Sequence, residues 1–146
     1  MDFTAISVFH RRTAEMKPTF KDTLAWEQAQ VLMQPALLRV IDNIRRELDT
    51  SSWKGKYREV TSPIPGYHLC LSRQDRQVEI DVWELCYRVC FIKYEPIQHI
   101  FSHEDETSYP VEIDTRLIDD VGEIDWQLLE SKAQQSVRKV FSTLPE

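Results

Sequence analysis

Over residues 77–94 the apolar side chains recur at every second position, and the phase of that alternation changes part-way along. Val78, Ile80 and Val82 alternate with Gln77, Glu79 and Asp81, the pattern of a strand with one dry and one wet face. From Trp83 the apolar set moves to the other phase through Leu85, Tyr87, Val89 and Phe91, while Cys90, Ile92 and Tyr94 make the end apolar on both sides. One long strand with a β-bulge near residues 82–84 accommodates the change, because one extra residue turns every later side chain to the opposite face. A strand buried on both sides needs covering layers, so the segment is expected to be the spine of the domain.

The flanking sequence supplies those layers. Trp26, Ala29, Met33, Leu37, Val40, Ile41, Ile44 and Leu48 recur at three- and four-residue steps and trace one helical stripe. Thr19 with Asp22 reads as a capping box opening that helix. Pro35 removes a backbone donor inside it, which predicts a kink or a break; the stripe stays in phase across it, which favours a kink. Residues 56–61 and 67–72 read as strands separated by Pro63, Pro65 and Gly66, and residues 73–76 close a hairpin onto the long strand. After Pro96, residues 111–118 alternate again, with Val111, Ile113 and Leu117 opposed to Glu112, Asp114 and Arg116. A last helix carries Trp126, Leu129, Ala133, Val137, Val140, Phe141 and Leu144 on one face, capped by Asp125, with Ile124 and Leu129 placed as a hydrophobic staple.

The expected fold is therefore α+β: an antiparallel sheet of about four strands, a long N-terminal helix kinked or broken at Pro35, and a C-terminal helix packed on one face. Residues 1–18 are an arm, mobile or forming an edge strand, and residues 19–146 make one domain. A chain of 146 residues can remove roughly 70% of its unfolded surface from water, enough for a core without disulfides or a structural metal.

No apolar run approaches the roughly 18 residues that cross a bilayer, and residues 1–9 combine neither a basic region nor a long apolar stretch, so no membrane association and no export are expected. Cys70, Cys86 and Cys90 are an odd set. On a strand, Cys86 and Cys90 would lie ~13 Å apart, too far to bridge. Reduced thiols in the cytoplasm are the expectation. The net charge is −6, and it is unevenly spread: 14 basic against 12 acidic residues before Glu95, 4 against 12 from there on. Such an acidic segment repels nucleic acid and anionic lipid and attracts a basic partner or a cation.

Residues with chemistry attached are few. Glu79 and Asp81 share one strand face and Glu112 and Asp114 another; in neighbouring strands these four carboxylates would hold Mg²⁺ or Mn²⁺ for phosphate chemistry, although alternating charge also marks any solvated face. His99 and His103 stand four apart in a loop-like stretch, and His68 with Cys70 offers two ligands from one strand, but neither pair completes a zinc site. With three glycines and no Gly-x-Ser-x-Gly, there is neither a phosphate-cradling loop nor a nucleophile elbow. Arg39, Arg45, Arg46, Lys54, Lys56 and Arg58 form a basic area interrupted by Asp42, Glu47 and Asp49, which argues for a solvated face over nucleic-acid binding.

Trp53, Tyr57 and Tyr67 lie in or beside polar loops, where large amphipathic rings anchor partners. The expected function is a non-enzymatic, cytoplasmic protein-binding or regulatory module, with a protein partner or a second copy of the chain and no cofactor. The alternative is a divalent-metal-dependent phosphoesterase or nuclease using Glu79, Asp81, Glu112 and Asp114. A small apolar ligand would instead require a cavity beside Trp83 and Phe91.

Overall fold

Helix α1, Thr23–Asp49, begins where Asp22 accepts a hydrogen bond from the Ala25 amide at 2.9 Å. The cap is thus Asp22 itself, and Thr19 belongs to a short strand, β1, Pro18–Thr19. The computed structural model describes residues 18–19, 22–61, 66–92, 109–110 and 112–145. The expectations for the arm before Pro18, for His99 and His103 and for the Pro63–Pro65 turn fall outside them.

α1 runs unbroken through Pro35. The missing Pro35 donor leaves the Val31 carbonyl without its intrahelical partner, and Val31 lies on the exposed side, where water can replace the bond. Gln28, Ala29, Leu32, Met33, Ala36, Leu37, Val40, Asn43 and Ile44 form its buried stripe.

β2 (Lys54–Val60), β3 (Gly66–Arg73) and β4 (Arg76–Asp81) make an antiparallel three-stranded sheet in the order β2-β3-β4. A two-residue loop joins β3 to β4, with Gln74 at φ 57°. The register pairs Tyr57 with Leu69 and Leu69 with Ile80, so these residues share the inward face with Leu71 and Val78. Gly55 lies on the same face: a Cβ there would meet Leu48 Cδ1 at 2.9 Å and Leu69 Cδ1 at 3.2 Å. Its missing side chain lets the end of α1 close onto the sheet.

The expected long strand is two elements. β4 ends at Asp81, and Val82–Cys90 is a helix, α2, whose first turn is capped by Asp81 accepting from the Trp83 amide at 2.9 Å. The change of phase marks a strand-to-helix junction and not a bulge. Val82, Leu85, Cys86, Val89 and Cys90 satisfy the helical period as well as Trp83, Leu85, Tyr87, Val89 and Phe91 satisfy the extended one. Both sets are buried, and a helix apolar nearly all round belongs in a core.

β5 (Phe91–Ile92) pairs with β7 (Glu112–Ile113) in a separate antiparallel pair, and β1 pairs in parallel with β6 (Tyr109–Pro110). The alternation over residues 111–118 therefore yields a strand only at its start. The chain then turns, and Ile118 bridges to Ile124. The turn is organised by Asp119, whose carboxylate accepts from the Val121 and Glu123 amides, with Gly122 at φ 87°. Helix α3, Trp126–Ser142, starts at the Asp125 cap, which accepts from the Leu128 amide at 3.0 Å. It packs against α1 and α2, while α2 also touches β3. Leu129, Ala133 and Val137 join Leu32, Met33, Trp83 and Leu117 in one continuous core.

Candidate functional site

Alternation puts every second residue of the sheet on the side away from the helices. The register groups them in three rows across the strands: Lys54, Ser72 and Gln77; Lys56, Cys70 and Glu79; Arg58, His68 and Asp81. This outward face opens as a shallow concavity of about 620 Å³ lined by Lys54, Lys56, Arg58, Cys70, Ser72, Gln77 and Glu79, together with Gly55, Leu71 and Val78.

Glu79 is its electrostatic centre. It accepts from Arg58 and lies 2.7 Å from His68 Nδ1. These two bonds, His68 first and Arg58 second, hold the carboxyl below its usual range. Glu79 first and Cys70 second, each as a hydrogen-bond partner of Arg58, raise its already high affinity for its proton. Arg58 thus reaches back across the sheet, whereas Lys54 and Lys56 remain exposed and without an ion-pair partner among the described residues.

The four carboxylates of the metal reading are not neighbours. Glu79 and Asp81 stand on β4, which pairs with β3; Glu112 is on β7 and Asp114 follows it, and β7 pairs with β5. Asp81 caps α2. Glu112 is exposed. Asp114, expected on a solvated face, is buried, because its oxygens accept from Arg116 at 2.8 and 3.0 Å and from Lys132 at 2.6 Å. The described residues contain no group of three or more His, Cys, Asp or Glu arranged to hold a metal ion.

Of the aromatic residues singled out from the sequence, Trp53 is 6% exposed and belongs to the core. Tyr57 and Tyr67 are half-buried on the inward face, and burial pushes the Tyr57 hydroxyl above its ordinary range. Cys86 and Cys90, now one helical turn apart, are free thiols; burial pushes Cys90 up to about 12, where it is inert. The ring space beside Trp83 and Phe91 is filled by Tyr87, stacked on Phe91 at 5.4 Å. A second concavity of about 530 Å³ lies instead between α2 and α3, lined by residues of both signs including Glu84, Arg88, Lys132 and Lys139.

The basic area on α1 is neutralised locally: Arg45 and Arg46 pair with Asp42 at 2.9 and 2.7 Å, and Arg39 lies over the Trp126 ring at 4.8 Å. Leu24, Val31 and Leu38 recur at seven-residue steps on the exposed side of α1. One apolar residue per two turns is narrower than the paired positions of a coiled-coil seam.

Comparison with models of protein families, with curated proteins and with solved structures found no match to this chain. No helix among the described residues is long and apolar enough to cross a membrane.

Proposed function

We propose that the chain is a non-enzymatic protein-binding or regulatory module of the cytoplasm, and that its partner docks on the outward face of the three-stranded sheet. The observation that carries this reading is the open face itself: Lys54, Lys56, Ser72 and Gln77 stand exposed around a shallow concavity, on a rigid sheet backed by the core. Charged and polar groups held in fixed rows give a partner orientation and register. Three of the four carboxylates of the rival hydrolase reading are engaged elsewhere, Asp81 as a helix cap, Asp114 with two cations and Glu79 with Arg58 and His68. Three free thiols suit a reducing compartment.

The test is retention of a protein by the immobilised full chain at low salt, compared with the variant Lys56→Glu/Ser72→Glu after circular dichroism has established that the variant is folded. A partner kept by the native chain and released by the variant is expected. Equal retention by both, or no retained protein, overturns the proposal. Sedimentation equilibrium on the same two proteins decides whether the partner is a second copy.

A further inference from the structure

We propose that β2 takes up an acidic, extended peptide as a further strand of the sheet. This rests on the docking reading above and names what docks.

β2 is an edge. It pairs with β3 on one side and with no second strand among the described residues, and Lys54, Gly55, Lys56, Arg58 and Glu59 are all exposed. At such an edge every second residue turns its N–H and C=O away from the existing neighbour, offering main-chain hydrogen bonds to an incoming strand. Side chains on the same face of an incoming strand repeat at the same two-residue step of ~6.8 Å and sit opposite those of β2. Lys54 and Lys56 therefore each face one position of the peptide, two residues apart. Arg58 is drawn across the sheet to Glu79, so these two lysines set the charge requirement.

The residue between the two acids points to the inward side. There Leu48, Leu69 and Leu71 fill the space over Gly55, and half-buried Tyr57 stands beside it, so β2 offers an apolar border. An apolar residue fits that position, and the recognised pattern is acid–apolar–acid. The same lysines oppose pairing of β2 with a second β2, since like charges directly across two strands repel. A nucleic acid would meet the lysines but leave the edge amides unused, and the chain's net charge of −6 works against it.

The probe is a short fluorescein-labelled peptide of alternating Glu and Val, followed by fluorescence anisotropy at low salt. Its twins are the same peptide N-methylated at every residue, which removes the donors, and a peptide of alternating Lys and Val. Saturable binding of the acidic peptide is expected, weakened at least ~tenfold by N-methylation and by Lys54→Gln/Lys56→Gln, with new amide-exchange protection over residues 54–60 and no binding of the basic twin. Equal binding of the N-methylated twin overturns strand addition, as does equally tight binding of a single-stranded oligonucleotide, protection confined to other segments, or no binding. A natural partner held through the outward face by a chain that ignores this peptide leaves the docking reading standing and removes strand addition alone.

Discussion

Lys132 Nζ lies 2.6 Å from Asp114 Oδ2, and Asp114 is only 2% exposed. The contact ties α3 to the segment after β7, and Arg116 completes it from the solvent side. Removing one member of a buried pair costs more than replacing both, because it strands the charge that remains. Asp114→Asn is expected to destabilise the protein by about 3 kcal/mol, whereas Asp114→Leu with Lys132→Met costs less. Urea denaturation of the three proteins at neutral pH checks this.

The same carboxyl has a pH signature. Hydrogen bonds from Arg116, reinforced by Lys132 and opposed by burial, hold it well below the usual carboxylate range. Its folded pKa is depressed, so its stabilisation is fully present above the unfolded value of ~3.9 and is lost as pH falls from there toward the folded value. The urea midpoint of the native chain should fall as pH drops below about 4, and that of Asp114→Asn should fall less steeply.

Asp81 closes the first turn of α2, and its oxygen satisfies an amide that would otherwise have no acceptor. Asp81→Ala is expected to cost about 1 kcal/mol and Asp81→Asn much less, since Asn also caps. A continuous strand through this position would not distinguish the two. Thermal melts of both variants read the difference.

At Gly55 the nearest atom to an added Cβ is the far methyl of Leu48, which can turn aside. Gly55→Ala is expected to be close to neutral, because the strand also gains the backbone restriction that Gly lacks. Gly55→Val adds two methyl groups against Leu48, Leu69 and Leu71 and should cost about 1–3 kcal/mol. Chemical denaturation of the pair separates a tight contact from open space.

Gln74 holds φ 57° in the loop between β3 and β4. A side chain in this region costs roughly 1–2 kcal/mol, part of which Gly returns as greater freedom in the unfolded chain. Gln74→Gly is expected to stabilise by about 0.5 kcal/mol, seen as a small rise in melting temperature.

The sequence made the two long helices and the β3–β4 hairpin legible because each carries its own local signal: the apolar period, the Asp125 cap, the break in pattern at residues 73–76. The α1 start moved to Thr23 because Asp22 is the acceptor and Thr19 pairs in a strand. Residues 82–90 misled because most are apolar, so that two periods fit equally well. The discriminating signs were polar: Asp81 followed three residues later by Glu84, a capping pattern, and Glu84 four before Arg88, a helical pair. Burial of Asp114 had no local sign at all, since its second cation, Lys132, comes from α3. The outward rows of the sheet were legible in part. Alternation marked Glu79 as outward, but its contacts with Arg58 and His68 depend on the register of three strands.

Asp81 is at once the last residue of β4 and the cap of α2, with nothing between them. The sheet is therefore not a flap on a hinge. No slack separates the exposed surface from the helical interior, and a shift of β4 must tilt the opening turn of α2. A ligand that displaced β4 would be felt at Trp83, and with Trp26, Trp53 and Trp126 replaced by Phe its indole would report that displacement without any added label.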